Sequence, residues 1–345
     1  MTDARHRVRA LVTIAARCAR PGDPLHTELR EALIGRSGLS SAGVDLVLSK
    51  HLETVISEAE LTALVSQVGQ TERCHVVLSA HVCTAALRAL AIALATSSKV
   101  FVKASRRDPF LAELLVREGR REGLDLESTT SITPRAGDEV HGSGGAEAIR
   151  AVRAGLGPGV RLWAHGPGFG VAVVEGLEHV TAAERLVDDV IPFDQRGCLS
   201  PRIVLVEHDP SGFAHVVGRA LSVRAKTVPR GTLSKEEASA ITMFRELGVG
   251  LGELHAGDTH TVLFDPAPEA ALLPPVGRSL LVLDRSQANV FSPLRTFITA
   301  VGLYGGAPGI HALNGVAAAT HVPLGTMQRP PLDGPVDART VVVVT

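Results

Sequence analysis

Aromatic side chains are scarce in this 345-residue chain: Phe, Trp and Tyr together make up 3%, with one Trp and one Tyr. Few rings are therefore on offer to stack against bases. Neither sign of charge is in excess, since 35 Lys and Arg stand against 36 Asp and Glu for a formal net charge of −1. That balance builds no basic field for nucleic acid or anionic lipid, and a nucleic-acid partner is not expected. Four cysteines (Cys18, Cys74, Cys83, Cys198) are too few for a disulfide framework in a chain this long. No C-x-x-C occurs, and fourteen histidines give no H-x-x-x-H, so no metal site is expected. A G-x-S-x-G elbow is missing too, which removes the usual serine-hydrolase reading.

Long hydrophobic runs are also lacking. The most apolar stretch, 85–102, carries Arg88 and Lys99 and reads as a buried helix running into a strand, not a membrane span. Arg17 and Arg20 interrupt the apolar part of the N-terminal segment, against a signal peptide, and Asp3 argues against a transit peptide. With thiols suited to a reducing compartment, the expectation is a cytoplasmic protein.

What is present is enough apolar material for a sizeable core: 45% hydrophobic residues with 21% charged. Residues 1–70 read as helical and carry no evident chemistry. From Cys74 onward, short apolar strands alternate with helices: strands at 76–78, 100–102, 171–174, 203–206, 261–264, 279–283 and 341–344. Helices are expected at 82–95, 111–123, 145–153, 181–190, 211–224, 234–248 and 294–301, and Ser234 with Glu237 forms a capping-box pattern. Such alternation predicts an α/β fold with parallel sheets. The terminal β-branched run 341–344 would complete a sheet within the chain or pair across a subunit boundary.

Three glycine clusters compete as phosphate cradles. His141-Gly-Ser-Gly-Gly145 precedes a helix, whose free amides would receive a diphosphate. His165-Gly-Pro-Gly-Phe-Gly170 precedes a strand and lacks that dipole, and Gly248-Val-Gly-Leu-Gly252 reads as a helix stop. Lys103 ends a strand and is followed by Ser105, Arg106 and Arg107, with no acid before Asp108. A strand end without an acid favours a ribose 2′-phosphate over a free diol, while a solvated basic loop is the alternative. Cys198 lies in Phe193-Asp-Gln-Arg-Gly-Cys-Leu-Ser-Pro201 between a helix and a strand, and Arg196 is the charged residue nearest to it. A structural cysteine in a loop is the competing reading.

The segment 193–201, followed by Arg202-Ile-Val-Leu-Val-Glu207, resembles the active-cysteine segment of the fatty acyl-CoA reductases of bacterial luminescence, the LuxC family, a branch of the aldehyde-dehydrogenase superfamily. VFVKASRRDP (100–109), HGSGGAEAIRAVR (141–153), RLWAHGPGFGVAVV (161–174) and HVPLGTMQRPPLDGPVDAR (321–339) are similar to further segments of that superfamily, in the same order.

The resemblance implies an aldehyde-dehydrogenase-like fold: a helical N-terminal region (1–70), a Rossmann-like NADP-binding domain (71–175), a catalytic domain carrying Cys198 (176–320) and a C-terminal segment and strand (321–345). It implies Cys198 as nucleophile, Lys103 and Ser105 on the adenosine ribose, Arg106 on its 2′-phosphate, and Gly142 and Ser143 against the diphosphate of NADPH. The substrate would be an acyl-CoA or an acyl-carrier protein, and the expected assembly a homodimer. Two positions depart from the superfamily. His81 stands where an asparagine donor to the oxyanion is usual, and Ala164-His165-Gly166-Pro167 replaces a Glu-Leu-Gly-Gly stretch whose glutamate activates water. Without that base, reduction of an acyl-cysteine is favoured over its hydrolysis. An acyl-phosphate reductase, an esterase on the same scaffold and a non-catalytic cofactor-binding subunit are the alternatives. The chain also reads as short at its front for the luminescence enzymes.

Overall fold

The structure, a computed structural model, describes residues 3–67, 69–80, 82–305, 319–336 and 341–344. The chain divides into two compact units, one formed by residues 1–37, 47–167 and 329–345, the other by 38–46 and 168–328.

The chain opens with α1 (Ala4–Ala19), α2 (Pro24–Leu33), α3 (Ser41–Lys50) and α4 (Glu58–Gln67). It continues through β1 (Arg73–Val77), α5 (Ala85–Thr96), β2 (Lys99–Lys103), α6 (Phe110–Arg121) and β3 (Asp125–Ser128). Next come β4 (Glu139–Ser143), α7 (Ala146–Ala154) and β5 (Val160–His165). The 85–96 stretch is apolar all round and is buried almost throughout, as a helix with no polar face must be. Its one cation, Arg88, is fully used: Nε meets Glu53 at 3.1 Å, and the two NH groups donate to the carbonyls of Pro330, Pro331 and Gly334 at 2.8 Å each.

The second unit holds β6 (Phe169–Val174), α8 (His179–Val190), β7 (Pro201–Val206), α9 (Pro210–Thr227), α10 (Lys235–Leu251), β8 (Glu253–Ala256), β9 (Thr261–Phe264), β10 (Ser279–Asp284), β11 (Ile298–Tyr304) and β12 (Thr320–Pro323). The chain then returns to the first unit with β13 (Val341–Val344), which pairs antiparallel with β5. The terminal run thus completes a sheet of its own chain.

The first sheet has the order β13-β5-β4-β1-β2-β3, with β5 to β3 all parallel. The direction of winding reverses between β1 and β4, the switch point at which open α/β sheets leave a crevice beyond their carboxyl ends. The second sheet has the order β12-β11-β6-β7-β10-β9-β8, parallel except for the β8 edge. Its central strands are apolar along their whole length because both faces are covered: Ala172, Val174, Val204 and Val206 pack toward α8 and α9. Val171, Val173, Ile203 and Leu205 pack with Phe244 and Phe291 on the other face.

One expected element is corrected. Residues 294–301 do not form a helix: a 3-10 segment, Arg285–Phe297, ends there and Ile298–Tyr304 is a strand between β6 and β12. Pro293 limits helix on one side, and the β-branched residues Ile298, Thr299 and Val301 suit a strand covered on both faces. Strands β3, β4, β5, β8 and β12 were not anticipated as strands. In the first compact unit α1 packs on α5 and α6, and the boundary between the units falls at 167/168.

Candidate functional site

In the first unit, the strand registers align four carboxyl ends. Val77 of β1 pairs with Lys103 of β2 and with Gly142 of β4, and Ser143 pairs with His165 of β5. Lys103, Gly142 and Ser143 therefore lie along one sheet edge, Lys103 on one side of the switch point and the glycine turn on the other. Lys103 is half-buried, Arg106 is exposed, and neither forms an ion pair among the described residues. Ser105 Oγ accepts from the Arg107 amide at 3.3 Å, which orders the turn after β2. Asp108, the one acid of the 104–109 turn, accepts from the Phe110 amide, and burial raises its carboxyl to about 6.

The glycine turn after β4 is built for close approach. Gly144 has φ +159°, strained for any side chain, and its amide donates to the His165 carbonyl. Gly145 caps α7 without a side-chain hydrogen bond, and a Cβ there would meet nothing within 4 Å. The first amides of α7 are thus neither capped by a side chain nor screened by a neighbour, which fits an anionic group. His141 is buried and stacks on Trp163, with ring centroids 5.9 Å apart, so it belongs to the sheet and not to the turn's open face. His81 lies outside the described residues.

In the second unit, Cys198 is partly exposed while the other three cysteines are buried. Burial pushes the Cys18 thiol up to about 12 and raises Cys74 and Cys83 as well, so these three are inert packing groups. Cys198 stands just before β7, at that strand's amino end. The residues that lead to it are unusual: Phe193, Asp194 and Gln195 are three successive non-glycine residues with φ of 55°, 49° and 64°. Left-handed residues of this kind cost about 1–3 kcal/mol each unless their surroundings fix them. Here they are fixed. Asp194 accepts from the Gly231 amide at 2.9 Å and from Arg278 Nε at 2.9 Å, with the second Arg278 contact at 2.7 Å. The Gln195 amide donates to the carbonyls of Pro201 and Ser279 and accepts from the Ser279 amide, all at 2.7 Å. It closes the loop around Cys198 and ties the starts of β7 and β10 together.

Arg196 is engaged by a carboxylate and a carbonyl. Its guanidinium is bound by Glu237 at 2.8 and 3.0 Å and donates to the Thr232 carbonyl. The anchors Asp194, Gln195, Arg278 and Thr299 were not anticipated. Asp194 and Gln195 lie in the recognised segment, but Arg278, just before β10, and Thr299, in β11, are distant in the chain and carry no local signal.

The second glycine cluster finds its role at this loop. A Cβ on Gly170 would lie 2.4 Å from the Leu199 carbonyl oxygen and 3.0 Å from the Pro201 nitrogen. Gly170 is therefore required for the cysteine loop to cross β6, and its own amide donates to the Ser200 carbonyl at 2.8 Å. On both sides of Gly170 the register slips: Thr299 is an extra residue in β11 and Arg202 an extra residue in β7. Thr299 Oγ1 donates to the Cys198 carbonyl and lies 3.2 Å from the Phe169 carbonyl. Arg202 Nε is buried without a partner among the described residues, and burial lowers its guanidinium to about 10. Gly252, the end of the third cluster, terminates α10, where a Cβ would strike the Phe264 carbonyl.

Within the closing segment, residues 330–334 and residues 325–327 are each held by a buried group of their own unit. Arg88 holds 330–334, as above, and Asp189 accepts from the Gly325 and Met327 amides at 2.5 and 2.8 Å. The described residues contain no group of His, Cys, Asp or Glu fit to hold a metal ion, and no helix among them is long and apolar enough to cross a membrane.

Known proteins share this fold. The chain is similar to a long-chain acyl-protein thioester reductase of Aliivibrio fischeri, 25% identical over 221 residues, a match that covers 58% of this chain and 46% of the relative. The chain thus spans about half the length of that curated relative. Among solved structures it is similar to an NAD-dependent benzaldehyde dehydrogenase from Corynebacterium glutamicum, with TM-score 0.68, 15% identity, and 94% of this chain and 80% of that one covered. It is also similar to an NADP-dependent glyceraldehyde-3-phosphate dehydrogenase from Bacillus halodurans C-125 complexed with NADP, with TM-score 0.69, 13% identity, and coverage of 100% and 88%. These likenesses establish the aldehyde-dehydrogenase fold. The family described as acyl-CoA reductase (LuxC) matches residues 66–306, which span the basic turn after β2, the glycine turn after β4 and the anchored loop of Cys198. On that match, which takes in more than half of the sequence, the chain belongs to the acyl-CoA reductase (LuxC) family.

Proposed function

We propose that this protein reduces an acyl thioester, carried by coenzyme A or by a carrier protein, to the aldehyde through an acyl-Cys198 intermediate with NADPH as reductant. The observation that carries the reading is the loop of Cys198: the one cysteine of four that is not buried follows, with two residues between, three left-handed residues held by a buried ion pair and a fully bonded glutamine. A packing loop has no need of that expense of order.

The Cys198 thiolate attacks the acyl carbonyl and expels the carrier thiolate, so one thioester replaces another at little cost in free energy. The acyl group stays activated on the protein. NADPH, when bound, would supply a hydride to the acyl carbonyl. The resulting thiohemiacetal oxyanion collapses, the C–S bond breaks, and Cys198 returns to the thiolate as the aldehyde leaves; one proton taken up by the departed carrier thiol balances the reaction. The Cys198 amide and the His81 ring are the proposed donors to the oxyanion, each such contact contributing about 3 kcal/mol in comparable sites.

The first unit supplies the proposed cofactor edge. Lys103 and Ser105 would meet the adenosine ribose, Arg106 its 2′-phosphate, and Gly142, Ser143 and the open amides of α7 the diphosphate. The fit rests on charge: the turn after β2 offers Lys103 and Arg106 outside any ion pair among the described residues, and no acid before Asp108, whose carboxyl burial raises to about 6. On this reading residues 71–167 bind the nucleotide and residues 168–328 carry the thiol. Hydrolysis is disfavoured by the absence of an acid from 164–167.

The test is single-turnover and steady-state reduction of a series of acyl-CoAs by wild type and Cys198→Ala, followed by NADPH absorbance and by intact-protein mass. Wild type is expected to show an acyl adduct on Cys198 without NADPH. The variant should show none and lose roughly 10³-fold or more of the turnover. Undiminished NADPH consumption in Cys198→Ala would refute the proposal.

A further inference from the structure

The peptide that carries the thiol is fixed through three successive carbonyls. The Ser200 carbonyl accepts from the Gly170 amide at 2.8 Å, and the Leu199 carbonyl is seated on the side-chain-free face of Gly170. Both of these are backbone contacts. The Cys198 carbonyl is different, because its partner is a side chain, the hydroxyl of Thr299.

Thr299 reaches that carbonyl through a defect in the sheet. Ile298 pairs with Phe169 and Ala300 with Gly170, so Thr299 is a residue in excess between two neighbouring pairs. A bulge of this kind re-aims one side chain while the rest of the strand keeps its register. The side chain so placed is buried, and its single proton has two acceptors in reach, the carbonyls of Cys198 and Phe169. Without the hydroxyl, the part-buried Cys198 carbonyl loses this side-chain donor. One of the contacts that set the 198–199 peptide, and with it the direction of the Cys198 side chain, is then gone.

We infer that Thr299 is a positioning residue for the nucleophile: its hydroxyl, delivered by the β11 bulge, sets the orientation of the Cys198–Leu199 peptide and so the line of attack of the sulfur. The inference rests on Cys198 being the acyl acceptor. Reaction at an acyl carbonyl is sensitive to that line, and misplacement by about 1 Å is enough to cost on the order of 100-fold. Alkylation by a small reagent such as iodoacetamide, which approaches from many directions, is much less so.

The experiment compares full-length wild type with Thr299→Val, Thr299→Ala and Thr299→Ser. Val keeps the volume and drops the hydroxyl; Ala is the gentler truncation if Val does not fold; Ser keeps the hydroxyl. For each, the first-order rate of Cys198 acylation by an acyl-CoA and its half-saturation are measured by mass, and Cys198 alkylation by iodoacetamide is timed in parallel. Acylation is expected to fall roughly 10- to 100-fold in Val and Ala at unchanged half-saturation, with alkylation changed less than about threefold and Ser close to wild type. Acylation at the wild-type rate in a folded Val or Ala variant overturns the inference. So does a parallel fall of acylation and alkylation that Ser does not restore, which would mark mere packing. Failure of wild-type Cys198 to accept any acyl group, while still alkylated, instead overturns the functional reading and removes the basis for this one.

Discussion

Gly170 has no side chain to contribute, yet the geometry of the cysteine loop depends on it. The Leu199 carbonyl lies where a Cβ would be, 2.4 Å from that position, and Met327 Cε at 2.6 Å closes the other side. A methionine end could swing away, but a backbone carbonyl between two anchored residues cannot. Gly170→Ala is therefore expected to lower stability by about 1–3 kcal/mol and to slow acylation of Cys198 severalfold. Urea unfolding, with acyl-adduct formation on the same samples, checks both; a variant with wild-type stability and acylation rate would show that the loop does not rest on β6. The same scale explains why Arg196, the nearest charge in sequence, is a poor candidate to activate the thiol. It is held by Glu237, and its role is to fasten the loop. Linear proximity to Cys198 suggested a partner where the fold supplies an anchor, and Arg278, far along the chain, completes the clamp with Asp194.

At the scale of elements, the helices that begin with a clear capping signal were legible. Ser234 accepts from the Glu237 amide at 3.1 Å and Glu237 accepts from the Ser234 amide at 2.8 Å, the reciprocal pair that the sequence pattern announces. Glu237 also holds Arg196, so this helix start and the cysteine loop share one carboxylate. Ser234→Ala should cost about 1 kcal/mol in the unfolding free energy. If the shared carboxylate matters to the loop, the reactivity of Cys198 toward iodoacetamide should change as well; an unchanged reactivity would separate the two. Strands were less legible where periodicity has nothing to report. Ile298–Tyr304 is covered on both faces, so its apolar run lacks the alternation that distinguishes a half-buried strand from a helix. Glu139–Ser143 and Val160–His165 carry His141, Trp163 and Arg161, whose polarity hid strands that are interior to the sheet and paired on both sides. The cysteine segment, the basic turn after β2 and the glycine turn after β4 were visible in the sequence only as a combination. What fixes the cysteine segment, the two bulges beside Gly170 and the Asp194–Arg278 pair, comes from residues distant in the chain and has no linear signature.

For the molecule as a whole, buried titratable groups oppose one another across the mildly acidic range. Burial raises Asp189 to about 7 and Asp108 to about 6, so the folded chain holds protons there that the unfolded chain has released. The stability these two contribute is present below about pH 4 and is lost as pH rises through 6 and 7. His260 works in the other direction. Burial first, then the guanidinium groups of Arg245, Arg278 and Arg230, lower its imidazole to about 4. Between about 4 and 6.5 the unfolded chain takes up a proton that the folded chain refuses, so stability from His260 is present above 6.5 and lost as pH falls to 4. Removing the imidazole should therefore tilt the balance. In His260→Gln, the change in stability on going from pH 7 to pH 4 is expected to be more favourable than in wild type, by up to about 3 kcal/mol. Urea midpoints of both proteins at several pH values in that interval measure the difference directly. Curves that stay parallel would mean that His260 is protonated alike in the folded and unfolded chain, and that the arginine cluster behind the cysteine loop does not reach it.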